Sequence, residues 1–65
     1  VNQSRGFALR QENHLVELKL GLQDIPYQGF PNQRMDMTGN DSEQTFSPVI
    51  GAGVTRRCYR VKVEP

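Results

Sequence analysis

The residues of greatest chemical interest in this chain are Met35 and Met37, two thioethers separated by one carboxylate, Asp36, inside the proline-punctuated segment from Ile25 to Asp41. In an extended chain, residues two apart project to the same face, so both sulfurs share an edge and Asp36 turns away from it. Thioethers are neutral, polarizable donors that suit Cu(I) and serve hard ions such as Mg²⁺ poorly, so copper is the ion this edge selects. No motif demands a cofactor. Two sulfurs do not complete a site, and the remaining donors of the right kind are His14 and Cys58, neither tied to the methionines by spacing. We group His14 with Met35 and Met37 as candidate metal ligands. Plainer roles stand beside these: the methionines as apolar gap fillers facing a core or lipid, and His14 as a solvated imidazole opening a strand. Cys58 fits a small buried or lipid-facing residue, or a thiol activated by neighbouring arginines.

A second group gathers near the C-terminus, where Arg56, Arg57, Arg60 and Lys62 surround Tyr59. Tyr59, Arg56, Arg57 and Arg60 are candidate contacts for an anionic or protein partner; the same residues also fit the solvated face of a strand. No catalytic constellation accompanies them. One histidine without a paired nucleophile, no phosphate-cradling glycine pattern and no spaced carboxylate pair give hydrolysis or group transfer nothing to build on, so the expectation is that this is not an enzyme.

Size and composition limit what can position these side chains. A 65-residue chain buries only about 60% of its unfolded surface and has a marginal core unless a metal, disulfide or partner assists. A single cysteine cannot close an internal disulfide, and no four-ligand zinc pattern is present. Eight Lys and Arg against seven Asp and Glu leave a charge of +1, which argues against nucleic acid as a partner. No apolar run of about twenty residues could cross a bilayer as a helix, and no charged start followed by an apolar stretch reads as a signal peptide. Barrel strands, short and half apolar, are not excluded on this ground. A valine at position 1 fits an excised or processed segment, so we expect a fragment.

The elements that must carry the candidate residues read as strands. Val16, Leu18, Leu20 and Leu22 alternate with Glu17, Lys19, Gly21 and Gln23, a two-residue period that predicts a strand over residues 14–23 with one apolar and one polar face. Pro26, Gly29 and Pro31 predict an irregular loop, residues 33–37 extend again, and Thr38 to Ser42 is a turn cluster. Residues 7–9 suggest a short strand after Gly6. After Gln44 the composition shifts, and Tyr59, Val61 and Val63 alternate with Cys58, Arg60, Lys62 and Glu64 in a further strand. The fold class expected is all-β, a small antiparallel meander of two to four strands. Residues 1–65 form one small unit, with a strand-loop-strand at 14–44 and a separate strand-rich tail at 45–65.

The run Ile25-Pro-Tyr-Gln-Gly-Phe-Pro-Asn-Gln-Arg-Met-Asp-Met-Thr-Gly-Asn40, with the strand before it, resembles the barrel of a TonB-dependent outer-membrane receptor, closest to the copper-receptor group. The resemblance covers residues 14–44, which makes that strand-loop-strand receptor-like, and does not extend past Gln44. It implies a plugged antiparallel barrel of about twenty-two strands that imports copper or a metal complex across the outer membrane of a Gram-negative bacterium. It also implies Met35 and Met37 as ligands, with Val16, Leu18, Leu20 and Leu22 facing lipid. The partners implied are the remaining barrel and the outer membrane. Two or three strands cannot close a barrel, so this chain alone is not expected to transport, and its strand edges invite self-association. The alternative is a standalone β-rich interaction module that binds a protein or anionic partner through a strand edge.

Overall fold

Alternation in the sequence becomes strand pairing in the computed structural model, which describes residues 4–64. Five strands form among these residues: β1 (Arg5–Ala8), β2 (Asn13–Leu22), β3 (Gln33–Thr38), β4 (Glu43–Phe46) and β5 (Val54–Glu64). The chain is all-β and antiparallel, as expected, with one strand more than the upper end of the expected range. β2 is the centre of a three-stranded sheet in the order β3-β2-β5, and β1 pairs with β4 in a second sheet of two strands.

The register of the larger sheet sorts its side chains. Met37 and Val63 flank His14, Met35 and Val61 flank Val16, and Gln33 and Tyr59 flank Leu18. These residues share one face, because neighbours in register lie on the same side of a pleated sheet. The β1–β4 pair covers part of this face. Leu9 and Phe46 join Val16, Leu18 and Met37 in the core, with Phe7, Leu20, Ile50 and Tyr59 packed around it. Full burial of Leu18 stabilises by roughly 2 kcal/mol, and Tyr59 meets Phe7 and Phe46 edge-on at centroid distances of 5.7 and 6.2 Å.

The tail after residue 44 belongs to this same arrangement. A division there falls inside β4, and β5 runs along β2 from Asn13↔Glu64 to Leu22↔Val54, with a bulge near Gly21. β4 is not evident from its residues, since Glu43, Gln44 and Thr45 are polar. Its strand conformation follows from pairing with β1 and from Phe46 entering the core.

Two close approaches set the connections. Gly39 lies against the Arg10 carbonyl where the segment before β2 crosses the end of β3, and any Cβ at Gly39 would overlap that carbonyl. Hydrogen bonds from Gly39 N to Glu12 O (2.9 Å) and from Asp41 N to Leu9 O (2.8 Å) hold the crossing. At the other end, the loop after β2 folds back over Gly21, where an added Cβ would sit 3.0 Å from the Tyr27 nitrogen. Asn32 then extends the ladder beyond β3: its amide donates to Leu18 O at 2.8 Å, and its side-chain oxygen accepts from Leu20 N at 2.7 Å.

Candidate functional site

His14 and Met37, 23 positions apart in the sequence, are direct partners across the β2–β3 ladder. Cβ atoms of such a pair lie about 4.5–5.5 Å apart. Met35, opposite Val16 on the same face, is the diagonal neighbour of His14, at about 7–8 Å and within reach of a long side chain. All three candidate ligands therefore meet on one face, a proximity that no linear spacing reveals. His14 and Met37 are buried, and Met35 is 46% exposed.

The hydrogen bonding of His14 defines its donor atom. Its Nε2 lies 3.2 Å from the Arg10 carbonyl oxygen; a carbonyl can only accept, so Nε2 carries the hydrogen. The neutral ring then keeps its lone pair on Nδ1. That atom is buried without a hydrogen-bond partner, an uncommon state for a buried polar atom. A backbone carbonyl fixing one ring nitrogen while the other stays open is the outer-shell arrangement of ligating histidines. His14 and Met37 also line a surface cleft of about 280 Å³ with Asn13, Asp36, Thr38 and Glu64, while Nδ1 itself is buried.

Among the described residues, no three His, Cys, Asp or Glu side chains gather as a metal site. The donors on this face are one imidazole and two thioethers, a soft set that fits Cu(I) and not a hard cation. Cys58 takes no part: it is exposed and pairs with Lys19 on the opposite face of the sheet.

The group around Tyr59 is not assembled as one surface. Tyr59 and Arg57 stand opposite Leu18 and Leu20 on the core face, whereas Arg56 and Arg60 stand opposite Gly21 and Glu17 on the other. Tyr59 is occupied by Phe7 and Phe46, and the Arg5 guanidinium lies 4.6 Å above its ring centroid.

Arg60 is engaged by Glu17, whose role the sequence did not disclose. Glu17 is 2% exposed and accepts from Arg60 Nε at 3.1 Å and Nη2 at 2.8 Å. Lys62 Nζ lies 3.3 Å from the same carboxylate oxygen, and Arg34 Nε lies 3.7 Å from the other. Burial alone would raise the Glu17 pKa; hydrogen bonds from Arg60 and Lys62, with their attraction, outweigh it and hold the carboxyl below its ordinary value. Register produces this cluster by placing Arg34 and Arg60 directly either side of Glu17.

Comparison of the chain with protein families, with curated proteins and with solved structures finds no match.

Proposed function

We propose that this chain binds a soft monovalent metal ion, Cu(I), through Nδ1 of His14 and the thioether of Met37, with Met35 as a third donor. One observation carries the reading: a buried imidazole nitrogen with an unshared lone pair belongs to the residue that pairs directly with Met37. Copper bound there would be held by neutral donors, and Arg10 O would hold the ring in its coordinating tautomer through Nε2–H. The resemblance suggests the setting, a segment of a copper-handling outer-membrane receptor. In such a receptor transport belongs to the closed barrel, while the metal contact argued here needs the β2–β3 pair and the Arg10 carbonyl beside it.

The test is a Cu(I) titration against a competing chelator, with Met37→Leu, Met35→Leu and His14→Leu variants. Methionine and leucine have similar volumes, so the methionine variants keep the fold at a loss of under about 1.5 kcal/mol. We expect Met37→Leu and His14→Leu to weaken binding at least tenfold and Met35→Leu to weaken it less. In the parent, Ag(I) should shift the ¹⁵N resonance of His14 Nδ1 and leave Nε2 protonated. A folded parent that does not bind, or Met37→Leu that binds as the parent does, would sink the proposal.

A second reading, the strand-edge module, is favoured by the outer edge of β5, which has no partner strand among the described residues along its 11 positions. Arg56, Arg57, Arg60 and Lys62 on that strand suit an acidic extended segment, since like charges in register repel. Titration with an acidic β-forming peptide should perturb the β5 amides; a parent that instead dimerises through β5 would count against this reading.

A further inference from the structure

On the face opposite His14, the loop after β2 does not lie flat on the sheet. It leaves a cleft of about 490 Å³ bounded by Glu17, Lys19, Phe30, Pro31, Cys58 and Arg60. That volume lies within the roughly 300–1,000 Å³ of small-molecule sites. Lys19 and Cys58 are cross-strand partners on the sheet beneath the loop, and Phe30 and Pro31 form the loop wall. Phe30 is 86% exposed, the largest value among the exposed large apolar residues described. The positive φ of Gly29, 59°, turns the chain just before it.

Charge at the cleft is one-sided. Three cations, Arg34, Arg60 and Lys62, converge on the single carboxylate of Glu17, so the cluster keeps an excess of positive charge after its internal pairing. Arg60 spends Nε and Nη2 on Glu17 and has Nη1 left to donate. Lys19, in the same cleft, adds a further cation. The acidic residues sharing this face, Asp36 and the more distant Glu64, lie towards the other end of the sheet, opposite Leu15 and Asn13.

We propose that this cleft binds a small amphipathic anion, its acid head on Lys19 and Arg60 and its apolar body against Phe30, Pro31 and the Cys58 side chain. The shared chemistry is a carboxylate, sulfonate or phosphate joined to an aromatic or short aliphatic body. Both halves are needed: the cations alone would favour hydrated inorganic anions, and the apolar wall alone would not select charge. The site is on the other face of the sheet from His14 and Met37 and does not depend on the metal.

The experiment uses 8-anilinonaphthalene-1-sulfonate as a fluorescent probe of the whole chain, with octanoate as a competitor and octyltrimethylammonium as its cationic counterpart. Lys19→Gln should weaken probe binding about tenfold and Phe30→Ser about fivefold. Octanoate should displace the probe and slow alkylation of Cys58 by iodoacetamide, and the cationic amphiphile should do neither. Equal competition by the two amphiphiles would overturn the proposal, as would a probe indifferent to both substitutions, since a partly unfolded chain binds this dye without regard to either residue. The circular dichroism spectra should be unchanged in both variants, whose altered side chains do not belong to the core.

Discussion

On one face of β2, Val16 and Leu18 are sealed with Leu9 and Phe46; on the other, Glu17 is buried almost as completely among Arg34, Arg60 and Lys62. The first face is closed by apolar side chains from a second sheet. The second is closed by the stems and heads of long cationic side chains, which stay 47–59% exposed themselves. Apolar burial needs only the right hydrophobicity and volume, whereas the carboxylate needs its partners in the correct register. A slip of one residue would move Arg34 and Arg60 to the core face and leave Glu17 buried without them. The charged face therefore adds specificity of pairing to a core that is small for the length of the chain.

The largest way to break the comparison is on the apolar side. Leu18→Ala should lose about 3 kcal/mol, much of the total for a chain this size, and bring the thermal midpoint down steeply. Gly39→Ala should lose about 3 kcal/mol as well, because the segment carrying Leu9 must move off the Arg10 crossing; urea denaturation measures both. On the charged side, acid is the sharper tool. A carboxyl whose pKa is lower folded than unfolded holds fewer protons in the folded state. Its contribution is therefore full above the ordinary value of 4.5 and is lost as pH falls through the lowered folded value. The urea midpoint of the parent should fall across that acid range, and Glu17→Gln should start lower at neutral pH and show a shallower acid slope. Arg34→Ala should have the smallest effect, a urea midpoint within about 0.3 M of the parent, since its contact with Glu17 is long and the side chain is largely exposed. An Arg34→Ala effect as large as that of Arg60→Ala would mean that the two sides of Glu17 are equivalent.

How much of this was legible in the sequence follows from the same contrast. The alternation of Val16, Leu18, Leu20 and Leu22, and that of Tyr59, Val61 and Val63, placed β2 and β5 correctly because apolar periodicity is local information. The first four residues of β5, before Cys58, were hidden by Gly51 and Gly53 close ahead of them. β4 was hidden because pairing with β1, not its own polar residues, makes it a strand. Glu17 looked like one more polar residue on a polar face, and its burial depends on strands that begin 16 residues later and more. The same reason left the grouping of His14 with Met35 and Met37 without support from spacing: a loop between β2 and β3 of unknown path leaves register open, and register decides which residues meet. The four residues suspected of holding a partner were grouped by closeness in sequence, which along a strand assigns neighbours to opposite faces.

The side chain of Gln33 has a consequence for assembly. Its amide group grips the backbone of Val49 at both ends, donating to the carbonyl and accepting from the amide, while Gln44 donates to the Thr38 carbonyl at the far end of β3. Both ends of β3 are thus tied by side chains to other parts of the chain, while the outer borders of β3 and β5 have no neighbouring strand in their sheet among the described residues. The longer of the two is β5, with 11 residues against 6, so an incoming strand can form more backbone hydrogen bonds there than along β3.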